Sequence, residues 1–130
     1  MRINPKSKGS DGERELAKLL TQQLGILVQR NLEQSRKSGA DVILPGWSIE
    51  VKRTKRHIYK NEWWSQCLDR AQDGTRPALA YRADWRPWRI VVRMSDVTCP
   101  NSGYPDELVA ELPLDSFSAW VRRTAPDYYK

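Results

Sequence analysis

The turn pair Pro45-Gly46 separates two short strand-like runs, residues 41–44 and 47–53, and predicts an antiparallel hairpin. Pro-Gly favours a type II turn, so a four-residue loop is the safer expectation, and an odd-length loop would shift the pairing by one. A loop that is symmetric about the turn pair fixes the register of the two strands, because each residue then lies opposite one partner. The predicted pairs are Leu44 with Trp47, Val42 with Ile49, and Asp41 with Glu50. The hairpin therefore brings two carboxylates face to face.

The facing carboxylates of Asp41 and Glu50 repel each other, since directly opposed side chains have Cβ atoms about 4.5 to 5.5 Å apart. Strand side chains alternate between faces, so Lys52 shares the face of the two acids while the apolar residues of both runs share the other face. Lys52 can neutralise one carboxylate, whereas a bound divalent cation can neutralise both. The pattern leaves two interpretations open, an ion pair or a metal site.

Oxygen ligands at close range favour Mg²⁺ or Mn²⁺, which bind one or two carboxylates together with waters and phosphate oxygens. Such an ion lowers the pKa of a bound water and stabilises charge on a phosphoryl group, while Lys52 can orient the water or hold the phosphate. The tripeptide Glu50-Val51-Lys52 is a weak signal alone, because Glu-x-Lys arises often by chance. Its place on a predicted strand, opposite an acid, strengthens the prediction of phosphodiester chemistry.

The first predicted helix begins at Ser10 and ends at Gly25, with apolar residues recurring at helical spacing between them. Ser10 and Glu13 form a Ser-x-x-Glu capping box. Glu13 also lies one turn before Leu16, which directs its side chain inward toward the sheet. Glu13 is therefore either a capping residue or a third acid of the site, and both roles remain open.

The rest of the pattern adds elements on both sides of the hairpin. These are a strand at 26–28, a helix capped by Asn61, strands at 78–82 and 88–94, and a last helix capped by Asp115 or Ser116. Residues 108–112 also fit a short strand. The predicted order α-β-β-β-α-β-β-α indicates an α/β (α+β) domain with a mixed β-sheet flanked by helices.

The length of 130 residues fits a single domain with one buried core. We expect that core to span about residues 6–94, with residues 95–130 as a C-terminal extension packing on it. The longest apolar runs hold only a few residues, far fewer than the roughly 20 needed to span a membrane. The polar N-terminal segment lacks the apolar stretch of a signal peptide. We therefore expect a cytoplasmic protein with no membrane partner.

Cys67 and Cys99 have neither metal-ligand spacing nor the pattern of a disulfide framework, and we expect two free thiols and no zinc site.

Basic residues are concentrated in the first part of a chain whose net charge is +6. Residues 1–60 carry 13 basic and 6 acidic side chains, whereas residues 61–130 carry 9 and 10. A basic run follows Glu50 without an intervening acid: Lys52, Arg53, Lys55, Arg56 and Lys60. This run is typical of a surface that attracts a polyanion such as a nucleic-acid backbone, although a solvated basic surface fits the composition equally well.

At these positions the sequence resembles the PD-(D/E)xK nuclease superfamily, and within it the archaeal-type Holliday junction resolvases and their phage relatives. The segments that carry the resemblance are Lys8-Gly9-Ser10, Glu13-Arg14-Glu15, Ser38-Gly39-Ala40-Asp41, and Ile49-Glu50-Val51-Lys52 with the basic run behind it. The resemblance covers about residues 6–94 and implies a restriction-endonuclease-like core. Ala40 departs from the family pattern, which has Pro there, but this position shapes the strand entry and supplies no ligand.

The catalytic and metal-binding residues implied by the resemblance are Glu13, Asp41, Glu50, the Val51 carbonyl, Lys52 and Gln66. Asp41 and Glu50 would bind Mg²⁺, for which Mn²⁺ can substitute, and Lys52 would assist the attacking water. Glu13 would support the metal directly or through a neighbouring group. Gln66 would be the polar helix residue that family members place near the site, against the plainer interpretation of an exposed helix glutamine. No small-molecule cofactor is implied.

The resemblance also implies DNA as the partner and a homodimer whose two sites cut two strands. The implied DNA contacts are Lys8, Ser10, Arg14, Arg36, Lys37, Ser38, Arg53, Lys55 and Arg56. We therefore expect a metal-dependent endodeoxyribonuclease acting on branched DNA or four-way junctions, in the cytoplasm of a prokaryote or a phage-infected host. Two alternatives remain: a nuclease of the same fold that cuts duplex DNA in restriction or repair, and a non-catalytic nucleic-acid-binding module.

Overall fold

The computed structural model describes residues 5–32, 40–56, 59–99 and 102–125, and for residues 5–8 it describes the backbone alone. Within these ranges the chain forms three α-helices, one six-stranded sheet and a short 3-10 helix, Met94–Val97. The elements in chain order are α1 (Pro5–Leu24), β1 (Gln29–Arg30), β2 (Val42–Leu44), β3 (Trp47–Thr54), α2 (Asn61–Arg70), β4 (Arg76–Ala83), β5 (Arg89–Arg93), β6 (Val109–Pro113) and α3 (Leu114–Thr124).

The sheet is mixed, and its spatial order follows the chain from β1 to β6. β3 and β4 are parallel, and α2 connects them, whereas all other neighbouring strands are antiparallel. This confirms the predicted α+β class with a mixed sheet flanked by helices. The weak strand pattern near residues 108–112 is a true strand, β6, which pairs with β5 at the sheet edge.

The hairpin register is as predicted, but the expected four-residue loop is wrong, because the loop contains only Pro45 and Gly46. Leu44 pairs with Trp47 and Val42 pairs with Ile49 across β2 and β3. Gly46 has a φ of 83°, a conformation that a side chain disfavours, so glycine is suited to the second position of this two-residue turn. The turn chemistry and the apolar pattern therefore agree, and together they fix which residues face each other at the open end of the hairpin.

Two apolar clusters cover the two faces of the sheet. Leu16 and Leu20 of α1 and Phe117 of α3 pack with Val42 and Ile49 in the larger cluster. The smaller cluster lies under α2 and contains Trp63, Cys67, Leu79, Tyr81 and Val91. Because Glu50 and Lys52 alternate with Ile49 and Val51, they belong to the side of the sheet that α2 covers.

The predicted start of the first helix is wrong. α1 begins at Pro5, so Ser10 lies inside the helix and cannot cap it. Proline is well suited to a first helical turn because its missing N–H has no partner there anyway. The predicted end is confirmed, since Gly25 has a φ of 75° and its N–H donates to the Thr21 carbonyl at 3.0 Å.

Other predicted boundaries shift by up to three residues, and the following are examples. The 26–28 run is not a strand, because Val28 hydrogen-bonds through both its N–H and its carbonyl to the Thr21 hydroxyl of α1, and β1 begins only at Gln29. Asn61 is the first residue of α2, with Lys60 as N-cap. Asp115 and Ser116 lie within the first turn of α3, which Pro113 precedes as N-cap.

The length and polarity of the described helices show whether any of them could cross a membrane. At 20 residues α1 has sufficient length, but it is rich in charged and polar side chains. Among the described residues no helix is both long enough and apolar enough to cross a bilayer.

Candidate active site

Three acidic side chains are buried at the open end of the hairpin. Asp41 immediately precedes β2, Glu50 lies on β3 and Glu13 lies on α1. Their exposed fractions are 5%, 2% and 8%. Carboxylates are rarely buried to this degree unless they are paired or bind a cation, so their partners decide what the site can do.

Asp41 is held by the neighbouring strand. Its Oδ2 accepts a hydrogen bond from the Val51 N–H at 2.8 Å. Burial raises the pKa of Asp41 to about 7, with the charge of Glu50 as the second cause and Glu13 as a further one. Within the described ranges no Lys or Arg forms an ion pair with Asp41. The predicted meeting of Asp41 and Glu50 is therefore present in the structure, and it is electrostatically unfavourable.

Glu50 is only half satisfied. Its Oε1 accepts from Arg70 Nη1 at 2.9 Å and lies 3.8 Å from Lys52 Nζ. Its Oε2 is buried and has no hydrogen-bond partner in the described part of the chain. The same charge, after burial, helps to raise the pKa of the Cys67 thiol to about 12, so this cysteine is protonated at neutral pH. Glu50 thus has one buried oxygen to which none of the described residues donates a hydrogen bond.

Lys52 and Gln66 meet beside Glu50. The Lys52 ammonium donates to Gln66 Oε1 at 2.7 Å, which ties β3 to α2. The Lys52 side chain is 24% exposed and Gln66 is exposed, so this pair opens to solvent at the edge of the acidic cluster. The structure therefore places Gln66 in contact with Lys52, the predicted catalytic lysine. A catalytic role for Gln66 stays a prediction.

Glu13 faces the site rather than the helix backbone. Its Oε2 accepts a hydrogen bond from Arg30 Nε at 3.0 Å and forms an ion pair with Arg30 Nη2, which lies 3.0 Å away. Arg30 Nη2 also donates to the Ser10 hydroxyl at 3.4 Å. The capping role is wrong, because Glu13 lies in the interior of α1. What remains is the inward acid, positioned by an arginine from β1 and close enough to Asp41 to influence its pKa.

Two arginines at the site, Arg30 and Arg70, are not among the residues predicted from the sequence. Arg70 lies one helical turn after Gln66 on α2, so an i, i+4 pair on the face toward β3 was the available signal. Arg30 had no comparable signal, because its strand is only two residues long and its pairing partner in the site comes from α1.

We expect Arg70→Ala to lower the free energy of unfolding of the metal-free protein by roughly 1 to 3 kcal/mol, because it leaves a buried carboxylate with less compensation. Addition of Mn²⁺ should restore much of this loss if a cation takes over the neutralisation of Glu50. Urea unfolding with and without Mn²⁺ measures both effects, and Arg123→Ala, an exposed arginine near the end of α3, is the control. A loss that Mn²⁺ leaves unchanged would argue against a cation at Glu50.

The donor set fits a hard divalent cation. The available groups are two buried carboxylates, and none of the described residues donates a hydrogen bond to Glu50 Oε2. Among the described residues no group of three or more His, Cys, Asp and Glu side chains is arranged to hold a metal. A cation here would therefore depend on Asp41 and Glu50, completed by backbone, water and phosphate oxygens, which suits Mg²⁺.

The candidate DNA contacts fall into different environments. Arg14 is exposed and forms an ion pair with Asp11 at 3.2 Å, and Ser10 is half-buried beside Arg30. Lys55 and Arg56 are exposed directly after β3. The candidates outside the described residues are the Lys8 side chain, Arg36, Lys37 and Ser38.

Arg53 is engaged inside the protein. Its guanidinium donates to the Arg82 carbonyl at 2.9 Å and to Asp84 Oδ1 at 3.0 Å, and its side chain is 14% exposed. Its stem packs so closely on Gly12 of α1 that a Cβ there would collide with it. The structure gives Arg53 a role in joining β3, β4 and α1, and we leave it out of the proposed DNA contacts.

A mixed sheet that carries an acid before one strand and Glu-x-Lys on the next, with an inward glutamate from the first helix, has the arrangement of the PD-(D/E)xK nucleases. The family model described as "Phage putative PDDEXK endonuclease" matches residues 4–104. The chain belongs to this family of endonucleases, and its substrate class is DNA. No curated protein and no solved structure gives a significant match.

Proposed function

We propose that the chain is a Mg²⁺-dependent endonuclease that hydrolyses phosphodiester bonds in DNA. The observation that carries the metal dependence is Glu50 Oε2, which is buried near Asp41 and has no hydrogen-bond partner among the described residues. A carboxylate in this environment costs free energy in the isolated protein, and a bound cation offsets that cost. Membership in an endonuclease family supports the reaction class.

Asp41, Glu50 and the Val51 carbonyl are the proposed ligands. When bound, a divalent cation would supply Lewis acidity toward a phosphate oxygen and lower the pKa of a water molecule. Asp41 needs to lose its proton for this role, and the Val51 N–H already stabilises its charged form. Glu13, held by Arg30, is close enough to Asp41 to raise its pKa and is proposed to support the metal directly or through Asp41.

Lys52 is proposed to orient the attacking water or to hold the scissile phosphate. Its ammonium is fixed by Gln66 at 2.7 Å and has donors left for a water or a phosphate oxygen. Arg70, whose side chain is 47% exposed, reaches the same edge and can stabilise the negative charge of the phosphate. These cations would offset charge that grows as the phosphodiester is attacked.

The finer proposal is a branched substrate, such as a four-way junction, cut by a homodimer with Mg²⁺ or Mn²⁺ in each site. Its support is the resemblance of the hairpin and basic run to the junction resolvases. The test incubates the protein with four-way junction, linear duplex and single-stranded DNA, each with and without Mg²⁺. We expect cleavage products only from the four-way junction, and only when Mg²⁺ is present. Cutting of duplex only would favour a restriction or repair type, and binding without products would contradict the nuclease proposal.

Lys55 and Arg56 are the exposed cations closest in sequence to the proposed catalytic lysine. We expect the double variant Lys55→Ala/Arg56→Ala to weaken DNA binding and to reduce the slope of log K against log salt by about 1 to 2, because each phosphate contact releases a counterion. Fluorescence anisotropy between 50 and 200 mM salt measures the slope. Arg122→Ala/Arg123→Ala removes the same charge from α3 and serves as the control, and an equal change in both double variants would show a general charge effect.

A further inference from the structure

Trp85 is the most exposed large apolar side chain among the described residues, with 96% of its surface open to solvent. It lies in the turn between β4 and β5, where the Arg86 N–H donates to the Ala83 carbonyl at 3.1 Å. Its φ is 65°, and among the described residues it is the one position other than glycine with a positive φ. Glycine or asparagine normally fills this third position of such a turn. A tryptophan there is conformationally unfavourable and gains no burial in return.

The backbone on both sides of Trp85 is held in place. The Asp84 N–H donates to the Thr54 carbonyl at 3.0 Å, and Arg53 Nη2 donates to the Asp84 carboxylate at 3.0 Å. On the other side the Arg86 carbonyl accepts from Arg82 Nε at 2.7 Å. The turn therefore presents the indole ring from a fixed base. Local strain that the surrounding contacts maintain is a recognised feature of binding sites.

The turn that carries the exposed ring lies at an end of the sheet where several cations follow β3 and β4. Arg86, the residue after Trp85, is exposed, and Lys55 and Arg56 leave β3 directly after Thr54, which pairs with Ala83. β3 and β4 are parallel, so their carboxyl-terminal ends lie at the same end of the sheet, and Lys52 is two residues before the end of β3. Trp and Arg are also enriched in protein–protein interfaces, but Lys is depleted there, and Lys55 belongs to this group of cations. Aromatic platforms flanked by cations are typical of surfaces that bind single-stranded nucleic acid.

We propose that Trp85 stacks on an unpaired base of the DNA substrate while Lys55, Arg56 and Arg86 contact the adjoining phosphates. This inference rests on the proposed function, which supplies DNA as the partner. It deepens that function by proposing that the DNA has an unpaired segment, bound at the same end of the sheet as the active site. Stacking tolerates any base, since every base has an aromatic face, so the site recognises an unpaired nucleotide rather than a sequence.

The test compares two DNA probes of equal length and charge, one fully paired and one with a short unpaired segment containing 2-aminopurine. Binding is measured in EDTA, so that no cleavage occurs. Trp85→Gly is the main variant, because glycine accepts the positive φ and keeps the turn. Trp85→Phe retains an aromatic ring. Tyr104→Ala removes another exposed aromatic, 43% exposed, from the loop before β6, and is the control.

We expect Trp85→Gly to weaken binding of the unpaired probe roughly tenfold, with less than about a twofold change for the paired probe. Wild-type protein and Trp85→Phe should quench 2-aminopurine, whereas Trp85→Gly should not. Equal losses on both probes, or no loss on either, would overturn the inference, as would failure of the wild-type protein to bind either probe. Dissociation of a DNA-free dimer by Trp85→Gly, seen by sedimentation velocity, would instead identify a protein interface. Because binding is read without metal, absence of cleavage in Mg²⁺ would contradict the proposed function alone.

Discussion

Glu50→Gln is expected to reduce DNA cleavage at least about a thousandfold while DNA binding stays unchanged or becomes tighter. The substitution keeps the size and one hydrogen-bond acceptor of Glu50 but removes the charge that would hold a cation. Without the cation, the transition state loses about 4 kcal/mol of stabilisation. This corresponds to a thousandfold lower rate, since each 1.36 kcal/mol changes the rate tenfold. Binding is retained because a negative charge near the phosphates disappears. Single-turnover cleavage and anisotropy with the same substrate measure the two effects.

The matched control is Glu107→Gln, the same chemical change at an exposed residue in the loop before β6. It should leave cleavage and binding within about twofold of the wild-type values. If Glu50→Gln still cut DNA within a factor of ten of the wild-type rate, Glu50 would not be a ligand. A parallel loss of binding and cleavage would indicate a folding or docking defect, which circular dichroism of the variant would separate.

Asp41→Asn is expected to make the metal-free protein more stable at pH 8. The pKa of Asp41 is raised from 3.8 to about 7, with burial as the main cause and Glu50 as the next. The folded state thus holds this proton more tightly than the unfolded state, and the stability from Asp41 falls as the pH rises from about 4 to about 7. Above that range wild-type protein carries the full cost of the buried charge, of the order of a few kcal/mol.

Asparagine removes this cost and keeps a side-chain oxygen for the Val51 N–H. We therefore expect the Tm of Asp41→Asn to exceed that of the wild type by roughly 5 to 10 °C at pH 8, and the difference to shrink toward pH 4. Mn²⁺ should raise the Tm of the wild type at pH 8 but not that of the variant. Asp73→Asn, at an exposed acid between α2 and β4, should change neither quantity. A variant less stable than the wild type at pH 8 would contradict the electrostatic account.

The part of the site that local rules govern was predictable from the sequence. The turn pair fixed the hairpin register, so the approach of Asp41 and Glu50 followed from two-residue periodicity alone. Helical spacing likewise directed Glu13 inward, although the same residue also matched a capping box that the structure rules out, because α1 starts at Pro5. Two local patterns competed there, and the longer helix decided between them.

The contacts that depend on distant elements were not predictable. Arg53 belongs to the basic run, yet it binds Asp84, which is brought beside it only by the parallel pairing of β3 with β4. Arg70 and Arg30 reach the acids from α2 and β1, and no local pattern records where a long side chain will end. A charge count therefore indicates a basic surface, but it does not distinguish the cations that compensate buried acids from those left for DNA.

Calorimetric titration of Mn²⁺ into the protein at pH 8 without DNA shows whether Asp41 and Glu50 together hold a divalent cation. We predict saturable binding to the wild-type protein that becomes at least about tenfold weaker in both Asp41→Asn and Glu50→Gln, and that is retained in Glu107→Gln. Equal Mn²⁺ affinity in the wild type and either active-site variant would contradict the account.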